Sequence, residues 1–545
     1  MRRLGGVFGM TMVLAGCGLP DGPAAPVPAL PEASAQRVQA HVGFLADDLL
    51  EGREAGTRGH EIAARYVASQ FAQLGLEPLG DDGSWLQSVP LLKGQRLRAG
   101  HFRVLGEGVE LEFAFESEFL PGIQFDQPEW SLEAPLVFAG QAVVAPEFGH
   151  DDLAGIDLAG RIALVLRGAP ERFGNAPRAF HSSTREKLRA LAERGAVGVV
   201  FLGDPEREAR SPWARGAANW SRPAMRLRDA DGSPRDTFPS LRGSASLSAE
   251  AARRLLAAGG LDPERVFAGL HGEGVPARAL PLRAQLAGAA RIEALASPNV
   301  VGMLPGSDPG LAREHVVYTA HLDHVGIGAP VGGDAIYNGA LDNALGVGIL
   351  IETARLAAAM PRPARSQVFV AVTAEEKGLL GAEHFAEHPG LDGRIVANIN
   401  MDMPVMLTPQ DDVIPIGIEH SSLGPVVERA AAELGIRLSP DPFPEEVVFV
   451  RSDQFAFVRR GIPAVYLDGG LHSLVPGVDG RALLEDFLRR HYHQPSDDLH
   501  LPIDFPSAAR LARLNALVGQ RIAAPGPAPS WNEDDFFGRR FSALR

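Results

Sequence analysis

Three strongly apolar runs in the second half of this chain each stop on an acidic or imidazole side chain. His315-Val-Val-Tyr-Thr-Ala ends on His321, Ser366-Gln-Val-Phe-Val-Ala-Val-Thr ends on Glu375-Glu376, and Ile395-Val-Ala-Asn-Ile-Asn ends at Asp402. Short runs of this kind read as strands buried on both faces of a parallel sheet. Between them lie helical stretches such as Asn343–Met360, stopped by Pro361. The alternation continues from Ala284 to Ala523 and predicts an α/β fold, a mostly parallel mixed sheet with helices on both faces. In such sheets ligands bind outside the carboxyl ends of the strands, so three strand ends deliver their polar residues to one crevice.

A length of 545 residues is too great for one hydrophobic core and predicts two or three domains. An apolar content of 45% with 22% charged residues fits a soluble globular chain. The net charge of −15 argues against nucleic acid as a partner, because little here would neutralise phosphates. At the start, Met1-Arg-Arg precedes an apolar run from Leu4 to Leu14, which closes on Leu14-Ala-Gly-Cys17. This describes a secretory signal over residues 1–16, too short for a stable membrane span. The tetrad resembles the bacterial lipobox, which implies cleavage before Cys17, a lipid anchor on its sulfur and a place in the cell envelope, at the periplasmic face or outer membrane. The alternative is an ordinary signal with an incidental cysteine. Cys17 is the single cysteine, so the rest of the chain has no thiol to pair, as suits such a compartment. The Pro/Ala-rich stretch over 17–31 reads as a flexible tether.

Helical spacing over His60–Leu74 opens the first part of the core, residues 32–127, which later turns to strands. Residues 128–282 differ in character. Gly160–Gly168 and Gly195–Phe201 read as strands there, and Glu186–Arg194 and Ala249–Ala258 as helices. This succession resembles the protease-associated domain, a small α/β insert found in exopeptidases, although any small α/β insertion shares the pattern. The core resumes over 283–524, with Ser422 and Ser452 placed to cap helices. A Pro-rich tail, 525–545, carries Trp531, Phe536 and Phe537 as docking side chains.

The chemistry rests on His321, Asp323, Asp342, Glu375, Glu376, Asp402 and His493. His321 can supply a nitrogen to zinc, and Asp323 can hold its other ring nitrogen in the right tautomer. Asp342 lies in a polar, Gly-containing loop, and its two oxygens can bridge two ions. Neighbouring Glu375 and Glu376 can divide the work, one ligating while the other handles protons. Asp402 and His493 complete one ligand set each. His315, His324, His384, His388 and His472 read as ordinary loop or core residues, with His324 able to line an entrance.

His321-Leu-Asp323, Ala340-Leu-Asp342-Asn, Glu375-Glu376, Asn400-Met-Asp402 and Tyr492-His493-Gln-Pro-Ser-Asp497 together resemble a known family. It is the di-zinc exopeptidase family of bacterial leucyl aminopeptidases, glutamate carboxypeptidases and the transferrin receptor, metallopeptidase family twenty-eight. The resemblance runs from about Gln36 to Ala523. It implies His321 and Asp402 on one zinc, Glu376 and His493 on the other, and Asp342 between them. Glu375 becomes the base, Asp323 the support behind His321, and the peptide bond between Asp342 and Asn343 is expected to be cis. The implied activity is hydrolysis of peptide substrates by a water activated between two zinc ions, aminopeptidase action first by family frequency.

Three other readings accompany it: a carboxypeptidase on the same site, a glutaminyl cyclase using only Asp342, Glu376 and His493 with one zinc, and a non-enzymatic receptor. A related di-zinc family places a dimerisation domain before its last histidine, and the 91 positions from Asp402 to His493 are too few for it. Oligomeric state and side-chain preference stay open. Gln454 follows Ser452-Asp453 where relatives often carry histidine, and Phe449-Val-Arg451 stands where some carry a transition-state tyrosine. Arg451 is therefore a candidate transition-state stabiliser or a structural ion pair.

Overall fold

The computed structural model describes residues 31–272 and 274–544; the expected signal, Cys17 and nearly all of the tether lie outside the described residues. The main sheet contains β1 (Leu86–Arg96), β2 (Arg278–Leu304), β3 (Glu314–His321), β4 (Ser366–Val372), β5 (Arg394–Asn400), β6 (Asp412–Ile416) and β7 (Ala464–Gly469). Their order across it is β1-β2-β4-β3-β5-β7-β6. The central four, β4, β3, β5 and β7, are parallel, and β2 and β6 flank them antiparallel. The three strands singled out by their endings are thus adjacent, with β3 in the middle.

Alternation along the strands explains why helices cover both faces. Val316, Tyr318 and Ala320 of β3 join one core with α1 (Ala35–Leu45), α2 (Arg58–Gln73), α3 (Gly346–Ala359), α5 (Gly424–Glu433) and α7 (Phe505–Ile522). Val317 of the same strand joins a second core with Phe385 of α4 (Leu380–Glu387) and Phe457 of α6 (Gln454–Val458). Ser452 was expected to cap α6, but its hydroxyl accepts from Asn400 Nδ2 at 2.7 Å. Ser422 gives α5 no side-chain cap either; its hydroxyl accepts from the backbone of Ser530. The tail docks through Trp531, which donates to Gly461 O at 2.8 Å, and through the buried Phe537.

A second α/β unit lies on the same chain path. Its parallel strands Ile162–Leu166, Gly198–Leu202 and Gly243–Leu247 pair side by side, and Glu129–Phe138 links them to the first half of β2. Residues 278–289 of β2 pair in this unit and 290–300 pair with β1, so one unbroken strand joins the two sheets. The sheets do not respect the expected boundaries at 128 and 282. His101–Gly106 pairs in the second unit, whereas Ala224–Leu227 adds to the main sheet beside β1. A strand joins whichever edge pairs its N–H and C=O groups, a choice that local pattern does not carry. Among the described residues no helix is long and apolar enough to cross a membrane.

Candidate metal centre

His321 is the last residue of β3. β4 ends at Val372, and Ala374, at φ +55°, turns the chain so that Glu375 and Glu376 follow. Asp402 stands two residues beyond β5. Asp342 comes from the turn Ala340–Leu345 that leads into α3, and His493 from the segment between helix Gly480–Arg490 and α7. The Asp342–Asn343 peptide bond is cis, as expected.

These residues meet. His321 Nε2 lies 2.9 Å from Asp402 Oδ1 and 3.3 Å from Asp342 Oδ1. The other oxygen, Asp342 Oδ2, lies 3.2 Å from His493 Nε2, which is also 3.2 Å from Glu376 Oε2. Asp342 therefore turns one oxygen to each of two donor sets. The first is His321, Asp342 and Asp402; the second is Asp342, Glu376, His493 and also His324, with donor atoms in each set within 4.8 Å of one another. His324 is the member that sequence reasoning passed over. Its signal was its place directly after Asp323, three positions from His321 at the same strand end.

Around the donors, polar side chains fix the loops. Asp323 was expected to hold the His321 ring through its carboxylate. Its backbone carbonyl takes that role, 3.1 Å from His321 Nδ1. The Asp323 carboxylate accepts from the backbone N–H groups of Glu375, at 3.1 Å, and Glu376, at 3.4 Å, and so fixes the turn carrying both glutamates. Asp497 does the same for the Asp342 loop, accepting from Leu341 N at 2.8 Å and Asp342 N at 3.0 Å. Asn343 ties that loop to both strand ends, donating to His321 O and Met401 O. Arg53, wholly buried, donates to the carbonyls of Leu45, Leu322, Asn338 and Gly339. Arg53 was not singled out from the sequence, and Asn343 only as the residue after the expected cis bond.

The electrostatics are those of an acidic pocket short of positive charge. Burial pushes Asp323 and Asp497 up to about 7. Asp453, fully buried with both carboxylate oxygens unpartnered, is pushed well above the carboxylate range by burial, although His321 opposes the shift. Burial alone would lower His493, but Glu376 and Asp342 raise its pKa to about 10. The two neighbouring glutamates diverge. Burial raises Glu375 well above its usual value despite the pull of His321, and Asp402 and Asp453 add to the rise. Burial would raise Glu376 too, but His493 and His324 bring it well below. Of the three imidazoles, burial lowers His324, whereas the carboxylates beside His321 and His493 raise those two against burial; a nitrogen-and-carboxylate donor set suits zinc.

Arg451 sits at the rim, half exposed, with Nη1 3.1 Å from Glu446 Oε2. Lys377, next to the glutamate pair, is held by Glu54 Oε1 at 2.7 Å.

The family model described as Peptidase family M28 matches residues 299–518. A curated relative, aminopeptidase NAALADL1 of Mus musculus, is 32% identical over 123 residues, 21% of this chain; the chain spans only 15% of that relative's length. Among solved structures, an aminopeptidase from Aneurinibacillus sp. strain AM-1 aligns with a TM-score of 0.55 at 20% identity, covering 91% of this chain and 96% of the other. BSAP, a zinc aminopeptidase from Bacillus subtilis, aligns with a TM-score of 0.44 at 18% identity, covering 93% of this chain and 99% of the other.

Proposed function

We propose, from the premise that residues 299–518 form a Peptidase family M28 domain, that this chain is a zinc-dependent exopeptidase that removes N-terminal residues from peptides. The observation that carries the reading is Asp342, with its two oxygens directed into two separate donor sets. His321 and Asp402 would hold one ion with it, and Glu376 and His493 the other. When bound, zinc brings the pKa of water towards ~7 and polarises a carbonyl oxygen.

The chain's own groups do the rest. Glu375 takes the proton of the attacking water and returns it to the departing amine. Its partner Glu376 faces the two imidazoles, so the turn held by Asp323 separates a proton carrier from a ligand. An N-terminal amine suits the site better than a carboxylate. Carboxylates surround the donors, and of the cations nearby Arg53 is committed to carbonyls, Lys377 to Glu54 and Arg451 to Glu446, while Arg222 lies over the Tyr337 ring. The curated mouse relative is likewise named an aminopeptidase. The Leu14-Ala-Gly-Cys17 tetrad supports an exported enzyme held at the envelope by lipid, and the second unit fits the role of a protease-associated insert.

Elemental analysis of zinc-reconstituted protein, together with assays on aminoacyl nitroanilides and on N-blocked peptides with a free C-terminus, tests this. Two zinc ions per chain and release of nitroaniline are expected. Activity on the blocked peptides alone would reassign the chain as a carboxypeptidase, one zinc per chain with cyclisation of N-terminal glutamine would make it a cyclase, and no zinc binding would end the enzymatic reading.

A further inference from the structure

We propose that His324 is a protein ligand of the second ion, so that the two metal positions are unequal. The inference rests on the two-site reading above and goes beyond it, because the sequence comparison of ligand motifs gave each ion one histidine. The imidazole of His324 is fully buried, and neither ring nitrogen has a hydrogen-bond partner. Nδ1 lies 2.8 Å from Glu376 Oε1 without hydrogen-bond alignment, and 3.8 Å from Asp342 Oδ2. Glu376 Oε1 is itself buried and unpartnered. A buried nitrogen and a buried carboxylate oxygen side by side, both unsatisfied, are expensive unless something binds them together.

The ring packs closely on the surrounding backbone. Gly339, at φ +62°, begins the turn that carries Asp342, and a Cβ there would collide first with the Asp342 carbonyl oxygen and would also fall 2.6 Å from His324 Cγ and 2.7 Å from Cδ2. The imidazole thus lies directly against the loop of the bridging carboxylate. His324 and His493 approach the same space from different segments, their ring centroids 5.5 Å apart and their planes at 76°.

The consequence is asymmetry. The first position has one imidazole and two carboxylates, His321, Asp342 and Asp402. The second has two imidazoles and two carboxylates, His324, His493, Asp342 and Glu376. Four protein donors close a tetrahedral zinc shell, whereas three leave a place for water or substrate. The second position should therefore load first and release last, and the first should be the exchangeable, open one.

Two measurements test this. Metal-free protein given one equivalent of zinc, examined by X-ray absorption, should show two imidazole nitrogens on that zinc; a single imidazole overturns the proposal. Chelator competition on the wild type should remove zinc in two stages, and His324→Ala should weaken the tighter stage by about 10–100-fold or more, the scale set by losing a group that orients a ligand. His493→Ala serves as the control for the underlying reading. If His493→Ala loses the tight zinc and His324→Ala keeps it at wild-type affinity, His324 is not a ligand. If neither variant alters retention, and Asp402→Ala does not either, the two-site reading itself falls.

Discussion

Both sheets of this molecule bury charge, and they settle it in opposite ways. In the second unit Lys187 is 1% exposed, and its ammonium donates to the carbonyls of Gln141 and Gly168. The chain closes that charge from within. In the main sheet the buried Arg53 gives its hydrogen bonds to carbonyls, and the carboxylates of Asp342, Glu376, Asp453 and Asp402 are left facing imidazoles, one another, or nothing. An internally satisfied buried charge marks a structural device, and an unsatisfied acidic cluster marks a place for something from outside. That contrast, more than the burial itself, separates scaffold from site.

The strongest way to break the contrast is at the cluster. Glu375→Gln should keep both zinc ions and reduce turnover by about 10²–10⁴-fold, the span of a lost general base. Asp342→Ala should remove zinc from both positions and abolish turnover, because it takes an oxygen from each set. Steady-state assays paired with elemental analysis check both; an active Glu375→Gln enzyme would sink the assignment of the base.

Next in size is chelation. A ligand that binds only the folded chain stabilises it by about 2.7 kcal/mol when present at 100 times its dissociation constant. Removing zinc should therefore lower the melting temperature. Amide exchange should rise in the Ala340–Leu345 turn and around Glu375 and His493, while the strands Ile162–Leu166 and Gly198–Leu202 keep their protection. Uniform loosening of both sheets would mean that the metal stabilises the whole chain and not the cluster.

Smaller again is the pH response of Lys187. Burial lowers its pKa from 10.5 to about 7. Below pH about 7 folded and unfolded chains both carry the proton, and the burial penalty is in full force. Between about 7 and 10.5 only the unfolded chain is protonated, so unfolding takes up a proton and stability rises with pH by up to about 1.4 kcal/mol per unit. Urea midpoints taken across this range for wild type and Lys187→Met should differ in slope, the variant being flatter. Equal slopes would show that the Gln141 and Gly168 carbonyls offset the burial penalty in full, so that Lys187 keeps its proton in the folded chain.

The fold centre was legible because strand endings and apolar runs are local: His321, Glu375, Glu376 and Asp402 each announce themselves one or two residues after a buried run. Asp342 and His493 were legible from their motifs. What escaped was long-range. Arg53 meets the site from 269 residues away at Leu322 O, and nothing in its own neighbourhood forecasts that. Ser452 had the local credentials of a cap, yet Asn400 offered its hydroxyl a buried partner instead. The sheet that His101–Gly106 joins was equally unreadable, because pairing depends on which edges the rest of the chain leaves free. His324 was visible but has no meaning without the ring geometry that places it against Glu376.

Arg451 should give the smallest effect, and it refines the contrast at the rim. Its guanidinium is 53% exposed and already paired with Glu446, itself 38% exposed. Such an ion pair contributes about 0–1 kcal/mol, so Arg451→Ala should unfold within that margin of the wild type. Removing a donor aimed at the transition-state oxyanion would cost about 10²–10³-fold in kcat. The pairing with Glu446 argues for a change below about tenfold, in KM more than in kcat, as suits a group that screens the rim and leaves the reacting atoms alone. A hundredfold fall in kcat at constant zinc content would show that the ion pair opens when substrate binds, and would move Arg451 from the rim into the chemistry.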